Sequence, residues 1–283
     1  MRIALINENS QAAKNEMICS TLEKVVKPMG HEVRNYGMYS ADDACQLTYV
    51  QVGILAAVLL NSGAADYVIT GCGTGEGAML ACNSFPGVIC GHVANPLDAY
   101  TFAQINDGNA ISIPFALGFG WGGELNLEYI FEKLFCEESG QGYPKERAVP
   151  EQRNKRILDE VKASAYRPLP EILKDLDRDL VRGALGGEKF RELFFADCKC
   201  EGLRPQSERF WAENSKKIYR NRRRMRETEK EKRNRCSTDY SPSVEQRFLF
   251  CCRSGRPSHV LHRLCENMTP FGIRLSGPPV LGK

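Results

Sequence analysis

Five short strand-like segments, most of them apolar, are separated by helical ones and predict an α/β fold. The expected architecture is a five-stranded parallel sheet with helices on both faces, a three-layer α/β/α sandwich. The strand-like segments fall at residues 2–6, 32–35, 67–70, 88–93 and 110–113 and end in turn residues. The segments between them carry helical rather than alternating periodicity. The loops are short, so strands and helices should alternate in space as they do along the chain.

Residues 2–6 make the first strand, and Asn7-Glu8-Asn9-Ser10 is a polar turn at its C-terminal end. An amphipathic helix over 11–27 follows and ends at Pro28 to Gly30. After the second strand, Asp42 or Asp43 is placed to cap a helix running to about Asn61. Val52, Ile54, Leu55, Val58 and Leu59 spread around that helix, which predicts burial on more than one side. The third strand enters a glycine-rich turn and a helix over about 78–83. Pro86-Gly87 turns the chain into the fourth strand, and Asn95-Pro96 opens a helix to about Ile105. After the fifth strand, a second glycine-rich turn over 118–123 precedes an amphipathic helix over 124–135.

The turn after the third strand, Gly71-Cys-Gly-Thr-Gly-Glu-Gly77, carries the chemistry. Glycines between a strand and a helix expose backbone N–H groups at a helix N-terminus, which suits an anion. Cys72, Thr74 and Glu76 add a thiol, a hydroxyl and a carboxylate. Gly73-x-Gly75-x-x-Ala78 also approaches a dinucleotide fingerprint, but that motif follows the first strand of its unit, not the third. A lone cysteine is also commonly inert packing. In parallel sheets ligands sit at the C-terminal ends of the strands. That rule gathers Glu8, Asn9, residues 72–77, residues 92–95 and the loop after the fifth strand.

The formal charge of +3 hides a split. From Asn214 onward 17 Lys+Arg face 6 Asp+Glu, which leaves 21 against 29 before it. A mildly acidic body therefore carries a basic tail. No stretch has the apolar length of a membrane span, and Met1 to Glu8 is too soon polar for a signal peptide. The expected location is cytoplasmic, with the 12 scattered cysteines as free thiols.

Three regions are expected: a sheet domain over 1–140, a helical extension over 141–202 packing on the domain or a partner subunit, and an irregular basic tail over 203–283. The extension should hold a charged helix over 150–165, one opened by Pro168 and Pro170 and running to about Val181, and a short one ending near Ala196. The charge run over 216–235 reads as a solvated segment, not a nucleic-acid arm, because aromatic interleaving is sparse. Cys251, Cys252, His259, His262 and Cys265 fit no standard zinc spacing.

From Met1 to about Phe135 the chain resembles the ribose-5-phosphate isomerase B and galactose-6-phosphate isomerase family. The likeness rests on Gly71-Cys-Gly-Thr-Gly-Glu-Gly, Ala81-Cys-Asn-Ser-Phe-Pro-Gly and Gln104-Ile-Asn-Asp-Gly-Asn109 at these separations. The resemblance implies a Rossmann-like sandwich that forms a homodimer or a tetramer, with each site at a subunit interface. It implies a cofactor-free, metal-free exchange of an aldose phosphate with its ketose. Such a reaction needs a base to carry a proton between C1 and C2 and donors for the enediolate oxygen. Some members use the loop cysteine as base and others a glutamate four positions later. Cys72 and Glu76 are both present, and a helix N-terminus favours a thiolate base over a carboxylate one. The resemblance makes the N–H groups of Gly73, Gly75 and Gly77 the oxyanion hole, with Thr74 assisting.

The chain also departs from the family. Ile105 stands where a ring-opening histidine is expected, before the retained Asn106, and His92 is the nearest candidate acid. Glu8-Asn9 replaces Asp-His, Ala116 stands near an expected arginine, and Arg153 and Arg156 are candidate phosphate ligands. Glu8 and Asn9 would then hold sugar hydroxyls.

Overall fold

Ile3, Ala4, Leu5 and Ile6 have no exposed surface, as a central strand covered on both faces requires. They belong to β1 (Arg2–Asn7) in a computed structural model that describes residues 1–187 and 189–199. The other strands are β2 (Glu32–Asn35), β3 (Tyr67–Cys72), β4 (Cys90–His92) and β5 (Ala110–Pro114). They form one parallel sheet in the order β2-β1-β3-β5-β4. The expected Rossmann-like α/β/α sandwich is present. The chain leaves β1 toward β2 on one side and returns to β3 on the other, so a crevice opens between β1 and β3.

Helices α1 (Asn15–Val26), α4 (Pro96–Thr101) and α5 (Gly123–Phe135) cover one face. Their core takes Ile3, Leu5, Tyr67, Ile69, Ile111 and Ile113. Helices α2 (Tyr49–Asn61) and α3 (Glu76–Asn83) cover the other and pack on each other. Strand alternation sends residues 4, 6, 68, 70 and 72 to that second face. As expected, α2 is buried on several sides, from Val52 through Leu59.

Several boundaries differ from expectation. The first helix is split: a 3-10 turn, Asn9–Lys14, precedes α1, because Glu8 caps it by accepting a bond from Ser10 N at 3.0 Å. Helix α2 is capped by Thr48 in a reciprocal box with Gln51, not by Asp42 or Asp43. Asp43 instead accepts bonds from Tyr39 N and Cys45 N within the preceding loop. Helix α4 ends in a π turn, Phe102–Asn106, and β4 is shorter than its apolar run.

The extension holds α6 (Ala148–Ala165), α7 (Leu169–Asp175), α8 (Arg178–Leu185) and α9 (Phe190–Asp197). The segment expected as one helix to Val181 is two, because Asp177 caps a new start at α8. Helix α8 packs on α2, and Phe190 and Phe194 stack beside Tyr36, next to the β2 edge. Asp197 bonds Arg34 at 2.8 Å and Arg2 at 3.2 Å. Burial would raise its carboxyl, but these arginines outweigh that and hold it below its ordinary value. No described helix is long and apolar enough to cross a membrane. The basic run, the cysteine–histidine group and the 203–283 tail lie outside the described residues.

Candidate active site

Strand β3 stays extended through Cys72 because Phe115 N donates to the Cys72 carbonyl at 3.0 Å. The chain then turns sharply. Gly75 adopts φ +78° as the cap of α3, and Ser112 Oγ donates to its carbonyl at 2.6 Å. A side chain at Gly75 would meet the His92 ring at 2.8 Å. The first-turn N–H groups of α3, Gly77's among them, have no acceptor within the helix.

Asn7 pairs in register with Gly71, so Glu8 and Cys72 follow at neighbouring positions on one face. Both residues are buried, Cys72 being 8 % exposed. Both Glu8 oxygens accept from Ser10, one from N–H and one from the hydroxyl. Asn9 is open at the edge, its N–H donating to Leu47 O at 2.7 Å. Thr74 is exposed and offers its carbonyl to His92 Nε2 at 3.0 Å. A carbonyl can only accept, so this bond puts the ring proton on Nε2. The Glu76 carboxylate lies 3.9 Å from the same nitrogen, with 59 % of its side chain exposed. His92 thus braces the turn that carries Thr74 and Glu76.

Within one chain the remaining candidates lie elsewhere. Asn106 ends the π turn, which delivers the chain to the start of β5 at the N-terminal edge of the sheet. Ile105 and Asn106 border a cavity of about 190 Å³ with Glu151, Asn154, Lys155 and Leu158. Arg153 and Arg156 are exposed on α6. Helix α6 is held at the far end of α3, where Lys162 Nζ and Tyr166 OH both donate to Asn83 O. The structure therefore groups Cys72, Thr74, Glu76, the loop glycines, Glu8, Asn9 and His92. It does not bring Asn106, Arg153 or Arg156 to them in the same chain.

Three residues outside the sequence expectations also border the loops: Ser112 bonds Gly75 O, and Lys14 Nζ bonds Gln11 Oε1 and the Phe115 carbonyl. Ser112 had a signal: it is a polar residue inside an apolar strand run. Gln11 and Lys14 had none, since they were read as ordinary helix positions.

The ribose/galactose isomerase family model matches residues 3–137. A second model, described as ribose-5-phosphate isomerase, matches residues 164–205. The chain is 59% identical to a crystallised 4-deoxy-L-threo-5-hexosulose-uronate ketol-isomerase complexed with a tartrate. That match covers 75% of this chain and 100% of the other, with a TM-score of 0.74. It is 50% identical to a ribose-5-phosphate isomerase from Vibrio parahaemolyticus, over 74% of this chain and 99% of that one, at a TM-score of 0.72. A type B ribose 5-phosphate isomerase from Trypanosoma cruzi, 16% identical with a TM-score of 0.50, shares the fold; the match covers 58% of this chain and 98% of that one. The family model and the relatives at 50% and 59% identity set the chain among the sugar isomerases. The chain belongs to the ribose/galactose isomerase family.

Proposed function

We propose that the protein is a ketol-isomerase that moves a proton between adjacent carbons of an acidic sugar in open-chain form. The observation that carries this is the placement of Cys72 and Glu8 at neighbouring strand ends of the β1–β3 crevice, with the start of α3 following Cys72 in the same turn. Cys72 removes the proton next to the carbonyl and returns it to the neighbouring carbon. The loop N–H groups of Gly73, Gly75 and Gly77 and the Thr74 hydroxyl hold the enediolate oxygens. Glu76 is the alternative base, but its carboxylate is open to water and near His92.

Two substrate classes follow from the relatives. A uronate is supported by the 59% identity to the hexosulose-uronate ketol-isomerase. Ribose 5-phosphate is supported by the 50% identity to the Vibrio protein. Asn9, Ile105 and Ala116 stand where phosphate-binding and ring-opening groups are expected, which favours the uronate. Solvent-deuterium exchange next to the carbonyl, followed by NMR on both substrates, tests the assignment. Cys72→Ala should slow exchange about 10²–10⁴-fold, with Glu76→Gln affected far less. The reverse order would move the base to Glu76, and no exchange with either sugar would defeat the reading.

We also propose a homodimer in which the second copy supplies Asn106, Arg153 and Arg156 to this crevice. Over its 18 residues α6 has none buried, and it exposes Val149, Ile157, Leu158 and Val161. If Cys72→Ala and Arg153→Ala/Arg156→Ala chains are each inactive, mixing them should restore about a quarter of wild-type activity, since a mixed dimer keeps one intact site. Mixtures no better than their parents would place all the machinery in one chain.

A further inference from the structure

Lys14 closes the 3-10 turn that follows β1. Its Nζ donates to Gln11 Oε1 at 2.8 Å and to the carbonyl of Phe115, and stands 4.5 Å over the Phe119 ring. The Phe115 peptide is already part of the site: its own N–H holds the Cys72 carbonyl, and the next N–H, of Ala116, holds Gly73 O at 2.9 Å. Gln11 Nε2 lies 3.9 Å from where a Cβ on Gly73 would stand. The ammonium therefore sits where the loops after β1, β3 and β5 converge.

Its partners are all uncharged. Among the described residues no carboxylate lies within ion-pair distance of Lys14. Partial burial lowers its proton affinity. An ammonium has three N–H groups, and two are placed on oxygens. A half-covered cation with a spare donor and no counter-ion is stabilised by an anion that arrives with the ligand. Ala116, which takes the place of an expected arginine, adjoins the very carbonyl that Lys14 holds.

We propose that Lys14 is the receptor for the acidic group of the substrate, a carboxylate or a phosphate, at this edge of the sheet. The identity of that substrate rests on the isomerase reading above, whereas anion binding can be measured without turnover. Inorganic phosphate and tartrate, a hydroxy-dicarboxylate, are titrated separately into the full chain by calorimetry. Lys14→Gln should weaken at least one of them about tenfold or more, while Lys14→Arg keeps affinity within about threefold. Loss confined to phosphate assigns a phosphate receptor, and loss confined to tartrate a carboxylate receptor. Should Lys14→Gln not fold, Lys14→Met replaces it in the same titration. On the sugar substrate, KM should rise by the same factor while kcat falls less. Three results overturn the proposal: wild type binding neither anion, unchanged affinity in Lys14→Gln, or equal loss in the Gln and Arg variants. A chain that binds anions through Lys14 yet exchanges no sugar hydrogen defeats the isomerase reading and leaves this one standing.

Discussion

Two glycine-rich turns lie at the same edge of the sheet, and they are glycine-rich for different reasons. In the turn after β3, two of the glycines stand where no side chain fits, although Gly73 between them has room. A Cβ on Gly71 would stand 2.2 Å from Ile113 O and 2.5 Å from the Phe115 ring. One on Gly75 would strike His92 and would also have to accept φ +78°. In the turn after β5, a Cβ on Gly118, Gly120 or Gly122 would meet nothing within 4 Å, and Trp121 among them is fully exposed. The first turn is locked by its neighbours, whereas the second is shaped only by the path of the chain. Glycine content alone does not separate a cradle from an open turn; neighbour distances do.

That contrast can be broken by substitution. The largest effect is expected at Gly71→Val, which forces a side chain into the β5 backbone and should cost about 3 kcal/mol or more in denaturant unfolding. If Gly71→Val is tolerated, the turn is not locked. Gly75→Ala should cost about 2 kcal/mol, from left-handed backbone strain and displacement of His92. It should also lower kcat in the exchange assay, because the start of α3 moves with it. Gly120→Ala should change stability by no more than about 0.5 kcal/mol and leave kcat unaltered. A large effect there would show that the second turn closes against something, and the contrast would have to be redrawn.

The sheet was legible because β1, β3 and β5 are apolar runs and the helices between them are periodic. Boundaries depended on hydrogen bonds that composition does not display. Thr48-x-x-Gln51 is a readable capping box, yet Asp42 and Asp43 were preferred because they come first and are equally good cap residues. The loop residues Cys72, Thr74 and Glu76 were found because strand topology alone assigns them to the C-terminal edge. Asn106, Arg153 and Arg156 came from resemblance instead, which says nothing about which end of one chain's sheet they occupy. The helix after β4 must return to the start of β5, and following that path would have placed Asn106 at the opposite edge. Lys14 stayed invisible because a 3-10 turn, not a helix, turns it toward the β5 loop.

The clasp between Arg2 and Asp197 has a consequence for biosynthesis. Its two ends are 195 residues apart, so the first strand emerges long before the helix that fastens it. Until α9 is made, the outer border of β2 has no cover, and a chain halted or clipped upstream would offer that border to other strands. Helix α9 acts as a latch, and losing it would leave the sheet with an open template for aggregation.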